Sequence, residues 1–339
     1  MFARRWSIQT SVGLLLWLMI NAALAQTDAG MVAPPGTRLA LVERAIAIGE
    51  AAIANPAFVN GEEWNQFKQT IRDPALQTLD DEAFRNTFNE ATDALPFTHF
   101  RLNWQPGVRS NDGDKPPVVT LSWPQADVAL VHIPMFEGDP QVISDTMNRV
   151  IERDARALIV DLRGTPGGSF PTAVALSRAL RNAAMDAGAF LTRGWFMQHG
   201  DYPDASQYDN IAALEVLDLA AFAAQLQRDG AARLVLPEHD QPIFQGQLFI
   251  LTDGRTASTC EPLVYLLKQH GATVIGERTA GAMLSAEHVP LDETFRLFVP
   301  VADYVTPDLT RVDNTGVEPT INVPADQALA HALSALADD

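Results

Sequence analysis

Apolar residues at helical spacing dominate the first third of the chain. Periodicity begins at about Leu39, and Phe84, Phe88, Ala91 and Leu95 then recur at intervals of four, three and four, behind Thr78-Leu79-Asp80-Asp81, which has the form of a capping box. Residues 38–95 are therefore expected to form a small helical region. From Phe100 to Pro134 the pattern changes to short β-type runs: Phe100-Arg-Leu-Asn-Trp, Pro117-Val-Val-Thr-Leu-Ser-Trp and Val128-Ala-Leu-Val-His-Ile, separated by Gly, Pro and Asn/Asp turns. Beyond them strands and helices alternate. Ala157 to Arg163 reads as a buried strand, Gly164 to Ser169 as a glycine-rich turn and Pro171 to Ala184 as a helix with proline in its first turn. The unit recurs as strand Gln247–Thr252, turn Asp253–Ser258, helix Thr259–His270 and strand Ala272–Gly276. Such a succession implies right-handed crossovers, so the predicted class is α/β: a mixed, largely parallel sheet with covering helices, over residues 96–328. A helical insert, Ile211 to Gln227, with an irregular stretch Arg193–Asp209 before it, separates the two units, and residues 329–339 read as a tail.

The first 25 residues have a different character. Arg4 and Arg5 precede an apolar run from Val12 to Ile20 and the small-residue motif Ala23-Leu24-Ala25, the layout of a cleaved secretory signal, followed by a linker over 26–37. The run is too short to span a bilayer comfortably, so export to a periplasmic or extracellular space without stable membrane insertion is expected. A formal charge of -18 argues against nucleic acid or anionic lipid as partner. The single cysteine, Cys260, excludes an intramolecular disulfide framework. The seven histidines are scattered, with no His-x-x-x-His or Cys-x-x-Cys pair, so neither metal nor cofactor is expected.

In α/β sheets reactive groups gather where strands end and helices begin, because helix N-termini aim backbone N–H groups at one spot. Two loops occupy that position. Gly164-Thr-Pro-Gly-Gly168 lets the backbone approach a ligand closely, and Asp253-Gly-Arg-Thr-Ala-Ser-Thr-Cys-Glu261 puts Ser258 at a helix start. Taken singly, the first is more often only a tight turn and the second only an N-cap.

Together they resemble the tail-specific (C-terminal processing) serine peptidases. Asp161-Leu-Arg-Gly-Thr-Pro-Gly-Gly168 is similar to that family's Asp-Leu-Arg-x-x-Pro-Gly-Gly turn, and Thr256-Ala-Ser-Thr-Cys-Glu261 to its Ser-Ala-Ser-Ala-Ser-Glu loop. Gly276-Glu-Arg-Thr-Ala-Gly281 and Gly316-Val-Glu-Pro319 match two further motifs in register. The resemblance, over roughly residues 95–325, implies a crotonase-like/Clp protease-like ββα core and Ser258 as nucleophile. Members with a Ser-Lys dyad carry lysine directly after the Thr-x-Gly, where this chain has Ala282 and Met283; its three lysines are Lys68, Lys115 and Lys268. The departure points to the tricorn-like branch, which includes the interphotoreceptor retinoid-binding proteins. Leu95-Pro-Phe-Thr-His-Phe100 resembles that branch's Pro-Phe-Ser-His-Phe, which makes His99 the implied base and Thr98 a supporting hydroxyl.

Serine needs a base that takes its proton and returns it to the leaving group, and the ordinary pKa of histidine suits both tasks. The family's third member is an acid three residues before the glycine of Gly-Val-x-Pro. Asp313 stands there, and its carboxylate is expected within hydrogen-bond reach of one His99 nitrogen; Glu318 is the reserve. Thr259 N–H, with Gly167 or Gly168 N–H, is the expected oxyanion hole. Glu261 reads as a first-turn acid complementing its helix dipole, and Asp161 and Arg163 as residues that fix the glycine turn. The expected function is an exported serine peptidase acting on peptides or unfolded protein segments. A non-catalytic carrier of hydrophobic ligands and an esterase are the alternatives. Residues 100–156 already hold the sheet segment, which leaves no room for the PDZ domain that many tail-specific proteases carry.

Overall fold

Thr37 begins the first helix by accepting from Ala40 N–H, satisfying one of the donors a helix start leaves unpaired. The computed structural model describes residues 37–107, 119–215 and 219–337, so the leader and most of the linker lie outside the described residues. Helices α1 (Arg38–Ala52), α2 (Glu62–Ile71) and α3 (Asp81–Ala91) form the N-terminal helical region. The cap of α3 is not the Thr78 box read from sequence. Asp80 caps it, accepting from Ala83 N–H, while Thr78 closes a preceding 3₁₀ turn.

Strands β1 (Arg101–Trp104), β2 (Thr120–Gln125) and β3 (Val128–His132) follow, then α4 (Pro140–Glu152), β4 (Ala157–Asp161), α5 (Phe170–Leu180) and β5 (Met185–Thr192). The stretch expected to be irregular holds two short helices, α6 (Arg193–His199) and α7 (Ala205–Asn210). The first begins at a Thr192 cap and ends at Gly200 in the left-handed region; Asp204 and Gln207 form a capping box for the second. The insert expected as wholly helical starts with strand β6 (Ala213–Glu215) and continues as α8 (Leu219–Asp229) and β7 (Ala231–Leu236). The second unit gives β8 (Gln247–Thr252), α9 (Cys260–Gln269) and β9 (Thr273–Gly276). Then come β10 (Ser285–Pro290), β11 (Phe295–Val305), β12 (Ile321–Asn322) and α10 (Ala328–Ala335). That last helix occupies the expected tail, and it buries Ala328, Ala332 and Leu336 against Ile159, Leu251 and Ile275.

The strands form two sheets. One runs β12-β9-β8-β4-β3-β2, parallel throughout except for the β2–β3 pair, and is the sheet expected from the alternation. The other runs β1-β11-β5-β7-β6, with β10 also on β11, and is mostly antiparallel. The main apolar core, with Phe136, Leu158, Phe190, Ile250, Val264 and Tyr304, draws on both sheets and on the helices between them.

A second core matters for the site. Trp64, Phe67, Phe84 and Phe88 of the helical region surround Phe97 and Phe100, with ring centroids 5.4 Å apart for Trp64–Phe100 and 5.7 Å for Phe67–Phe100. Burying one such ring stabilises by about 2–3 kcal/mol, and well-oriented ring pairs add about 0.5–1.5 kcal/mol. Phe97 and Phe100 flank Thr98 and His99, so the helical region clamps that dipeptide from both sides. On β11 alternation places Phe295, Leu297 and Val299 in this core and leaves the ring of Phe298 facing His99, at 5.3 Å between centroids.

Candidate active site

The two loops read separately from sequence are sewn together. Ala257 N–H donates to Thr165 O (3.0 Å), Gly164 N–H to Asp253 Oδ1 (2.9 Å), and the Thr256 and Thr259 hydroxyls to Leu162 O (2.8 Å) and Gly168 O (2.7 Å). Arg163 grips Asp161 through two contacts, at 2.8 and 2.6 Å, just ahead of the glycine turn. Gly167 and Gly168 have φ of 103° and 136°. A Cβ on Gly167 would lie 2.7 Å from Ser258 Cβ, and one on Gly168 only 2.2 Å from Phe136 O. Both positions therefore exclude every side chain.

Ser258 sits at the start of α9 with φ of 55°, a left-handed conformation that non-glycine residues adopt at a cost. Glu261 holds it there. This side chain, read from sequence as a dipole-complementing acid, is fully buried and gathers four donors: Ser258 N–H (3.0 Å) and Ala282 N–H (2.8 Å) on Oε2, Thr279 Oγ1 (2.6 Å) and Gly281 N–H (2.7 Å) on Oε1. Burial pushes its carboxyl above the ordinary range, while the four donors pull against that shift. Because Ser258 N–H is spent on Glu261, it cannot serve an oxyanion. The N–H groups of Thr259, Gly167 and Gly168 have no hydrogen-bond acceptor among the described residues, so all three expected donors stay available.

The third group forms around His99, itself at φ of 65°. Asp313 was expected to reach the imidazole directly, but the Thr98 hydroxyl stands between them. His99 Nδ1 lies 2.7 Å from Thr98 Oγ1, which donates to Asp313 Oδ1 at 2.5 Å, while Thr98 N–H donates to Asp313 Oδ2 at 3.1 Å. The shorter aspartate thus reaches the histidine through an intervening side chain. Burial first, then the charge of Arg101, pushes His99 down to about 4, below the ordinary value assumed from sequence. Burial pushes Asp313 up to about 6, against the Thr98 hydrogen bond and the Arg311 charge. The Asp313 segment is tied to the Gly281 turn through Asn314 N–H, which donates to Gly281 O (2.7 Å) beside the Glu261 cage.

Glu318, Lys268 and Cys260 make other contacts. Glu318 pairs with Arg278 at 2.5 Å on the surface, and Lys268 Nζ donates to Glu318 O at 2.7 Å. Cys260 is buried, its thiol pushed up to about 12 by burial. Among the described residues no group of three or more His, Cys, Asp or Glu side chains is gathered as a metal site needs, and no helix is long and apolar enough to cross a membrane. Beside Thr259 a small cavity of about 40 Å³ lies between α5, α9 and β5, lined by apolar groups such as Phe170, Val174, Ala187 and Leu263.

The sequence profile of peptidase family S41 matches residues 127–323, which include the glycine turn, the Ser258 loop and Asp313. The chain belongs to peptidase family S41. Among curated S41-like relatives, the chloroplastic carboxyl-terminal-processing peptidase 1 of Arabidopsis thaliana is 29% identical over 109 residues, 32% of this chain and 22% of the plant protein. The match thus spans under a quarter of that relative's length. A lipoprotein from Streptococcus agalactiae superposes with a TM-score of 0.58 at 18% identity, covering 91% of this chain and 99% of its own. The photosystem II D1 C-terminal processing protease gives 0.51 at 14% identity, with 85% and 94% coverage. The tricorn protease gives 0.52 at 13% identity, covering 89% of this S41 chain and 36% of its own. At these identities the likeness is one of fold. His99 and Thr98 precede the matched span, so the family match does not reach them.

Proposed function

We propose that this S41 member is an exported serine peptidase that cleaves peptides or unfolded protein segments, with Ser258 as nucleophile and His99 as base. The observation that carries the reading is Ser258 held in a left-handed turn at a helix start, with Thr259, Gly167 and Gly168 N–H free beside it. His99 takes the Ser258 proton on Nε2 as Oγ attacks the scissile carbonyl. Thr259 N–H and one of the two glycine N–H groups stabilise the oxyanion, and His99 returns the proton to the leaving amine. Water then repeats the cycle on the acyl-enzyme. Thr98 passes the influence of Asp313 to the imidazole, holding Nδ1 protonated and Nε2 free. The small apolar cavity beside Thr259 has room for no more than a small apolar group of the substrate. Export rests on Arg4, Arg5, the Val12–Ile20 run and Ala23-Leu24-Ala25.

The carrier alternative has no use for free oxyanion donors or a strained serine. The test is hydrolysis of an unfolded protein and of chromogenic peptides by the full chain, compared with Ser258→Ala and His99→Ala. Turnover lost in both variants supports the peptidase. Wild-type turnover of esters alone would favour the esterase, and no turnover with apolar-ligand binding unaffected by Ser258→Ala would favour the carrier.

A further inference from the structure

One largely buried cation behind the site has no role in the steps above. Arg311 bridges two buried carboxylates, with Nε 2.9 Å from Asp303 Oδ2 and Nη2 2.9 Å from Asp313 Oδ2. Its Nη1 also donates to Pro96 O (3.3 Å) and Asp313 O (3.2 Å), and the guanidinium lies 5.1 Å from the Phe58 ring centroid. The Tyr202 hydroxyl donates to the same Asp303 oxygen at 2.7 Å. A single guanidinium therefore compensates two carboxylates, and a buried carboxylate that loses its compensation takes up a proton.

The proton on Asp313 decides what Thr98 does, because a threonine hydroxyl has one hydrogen to give. Ionised Asp313 only accepts. The Thr98 O–H then points at Asp313 Oδ1, Thr98 Oγ1 accepts from His99 Nδ1–H, and His99 Nε2 keeps its lone pair. Protonated Asp313 can donate to Thr98 instead. The Thr98 proton then turns to His99 Nδ1, the imidazole hydrogen sits on Nε2, and no base faces the serine.

We infer that Arg311 and Asp303 are positioning residues of opposite sign for the His99 tautomer: Arg311 holds Asp313 as the carboxylate, and Asp303 works against it. The inference rests on the reading of Ser258 and His99 as the reacting pair. The charged and titratable groups facing Asp313 are Arg311 on its own segment, Asp303 on β11 and, through Thr98, His99; Arg101 on β1 acts on His99. With Asp313 raised to about 6 and His99 lowered to about 4, rising pH removes the His99 proton first. Activity then appears as Asp313 ionises.

The test is the pH dependence of kcat/KM for a chromogenic peptide, measured on the full chain. The wild-type acid limb is expected near 6. Arg311→Met should move it up by about 1–3 units, the range a neighbouring guanidinium exerts on an aspartate, and Arg311→Lys should return it close to wild type. Asp303→Asn should move the limb down by about one unit. That variant keeps an acceptor for Arg311, so it carries the test if Arg311→Met does not fold. A limb that stays put or rises in Asp303→Asn overturns the inference and leaves these residues a structural role. Asp313→Asn separates the two levels. Full activity in it overturns the inference together with the site reading, whereas an inactive Asp313→Asn with unmoved limbs elsewhere overturns the inference alone.

Discussion

Glu261→Gln preserves the shape of the side chain and turns one acceptor oxygen into a donor, at a place where four donors converge. Oε1 receives Thr279 Oγ1 and Gly281 N–H; Oε2 receives Ser258 and Ala282 N–H. Thr279 Oγ1 already accepts from Val317 N–H at 2.7 Å, so its own proton has to go to Glu261. Whichever way the amide is placed, two donors face an NH₂ group. Hydrogen bonds to a charged acceptor contribute about 1.5–3 kcal/mol each, so losing two amounts to about 3–6 kcal/mol. Part of this is offset because the variant no longer buries a charge, the penalty seen in the raised carboxyl of Glu261. A net loss of about 2–4 kcal/mol is expected from urea unfolding followed by circular dichroism. If the amide nitrogen replaces Oε2, Ser258 also loses the bond that holds its φ of 55°, and turnover should fall at least tenfold. A stability change below about 0.5 kcal/mol with turnover intact would refute the view that Glu261 braces the nucleophile.

Other consequences follow from the same contacts. Thr98→Val removes the hydroxyl between Asp313 and His99 and should lower kcat/KM by about two orders of magnitude, less than the roughly 10⁴ that a triad loses with its acid, while Thr98→Ser should stay within a few fold of wild type. Glu318→Gln should be nearly silent in the same assay, because its carboxylate serves a surface pair with Arg278. Iodoacetamide at pH 8 should leave Cys260 unmodified in the folded protein and alkylate it in urea, because burial pushes that thiol up to about 12; mass spectrometry reads both states.

Much of this architecture could be read from local signals. The strands at Ala157 and Gln247, the glycine turn between Gly164 and Gly168 and the helix start at Ser258 each follow from short-range patterns, and each sits close to where the residues predicted it. The mostly antiparallel second sheet escaped notice. Its longest strand, Phe295–Val305, alternates only over its first five residues and then becomes largely buried, which blurs the period of two. The alternation of Phe295, Leu297 and Val299 was the available clue. The short helices after Thr192 were hidden because caps, rather than long apolar stripes, define them. At the site, residue types and order were legible, but the connections among them were not. That Thr98 stands between His99 and Asp313, that Glu261 braces Ser258 and that Arg311 serves two carboxylates all depend on side chains brought together from distant parts of the chain. For Arg311 the alternation of acids and a base in Asp303, Arg311 and Asp313 was the only local hint.

The central claim, that Ser258 is the activated nucleophile, is tested most directly by labelling the full chain with a fluorophosphonate and mapping the modified residue by mass spectrometry. The account predicts a single adduct on Ser258, absent in Ser258→Ala and strongly slowed in His99→Ala, with the circular dichroism of both variants unchanged. An adduct that persists in Ser258→Ala, or that maps to Cys260 or another residue in the wild type, would contradict it.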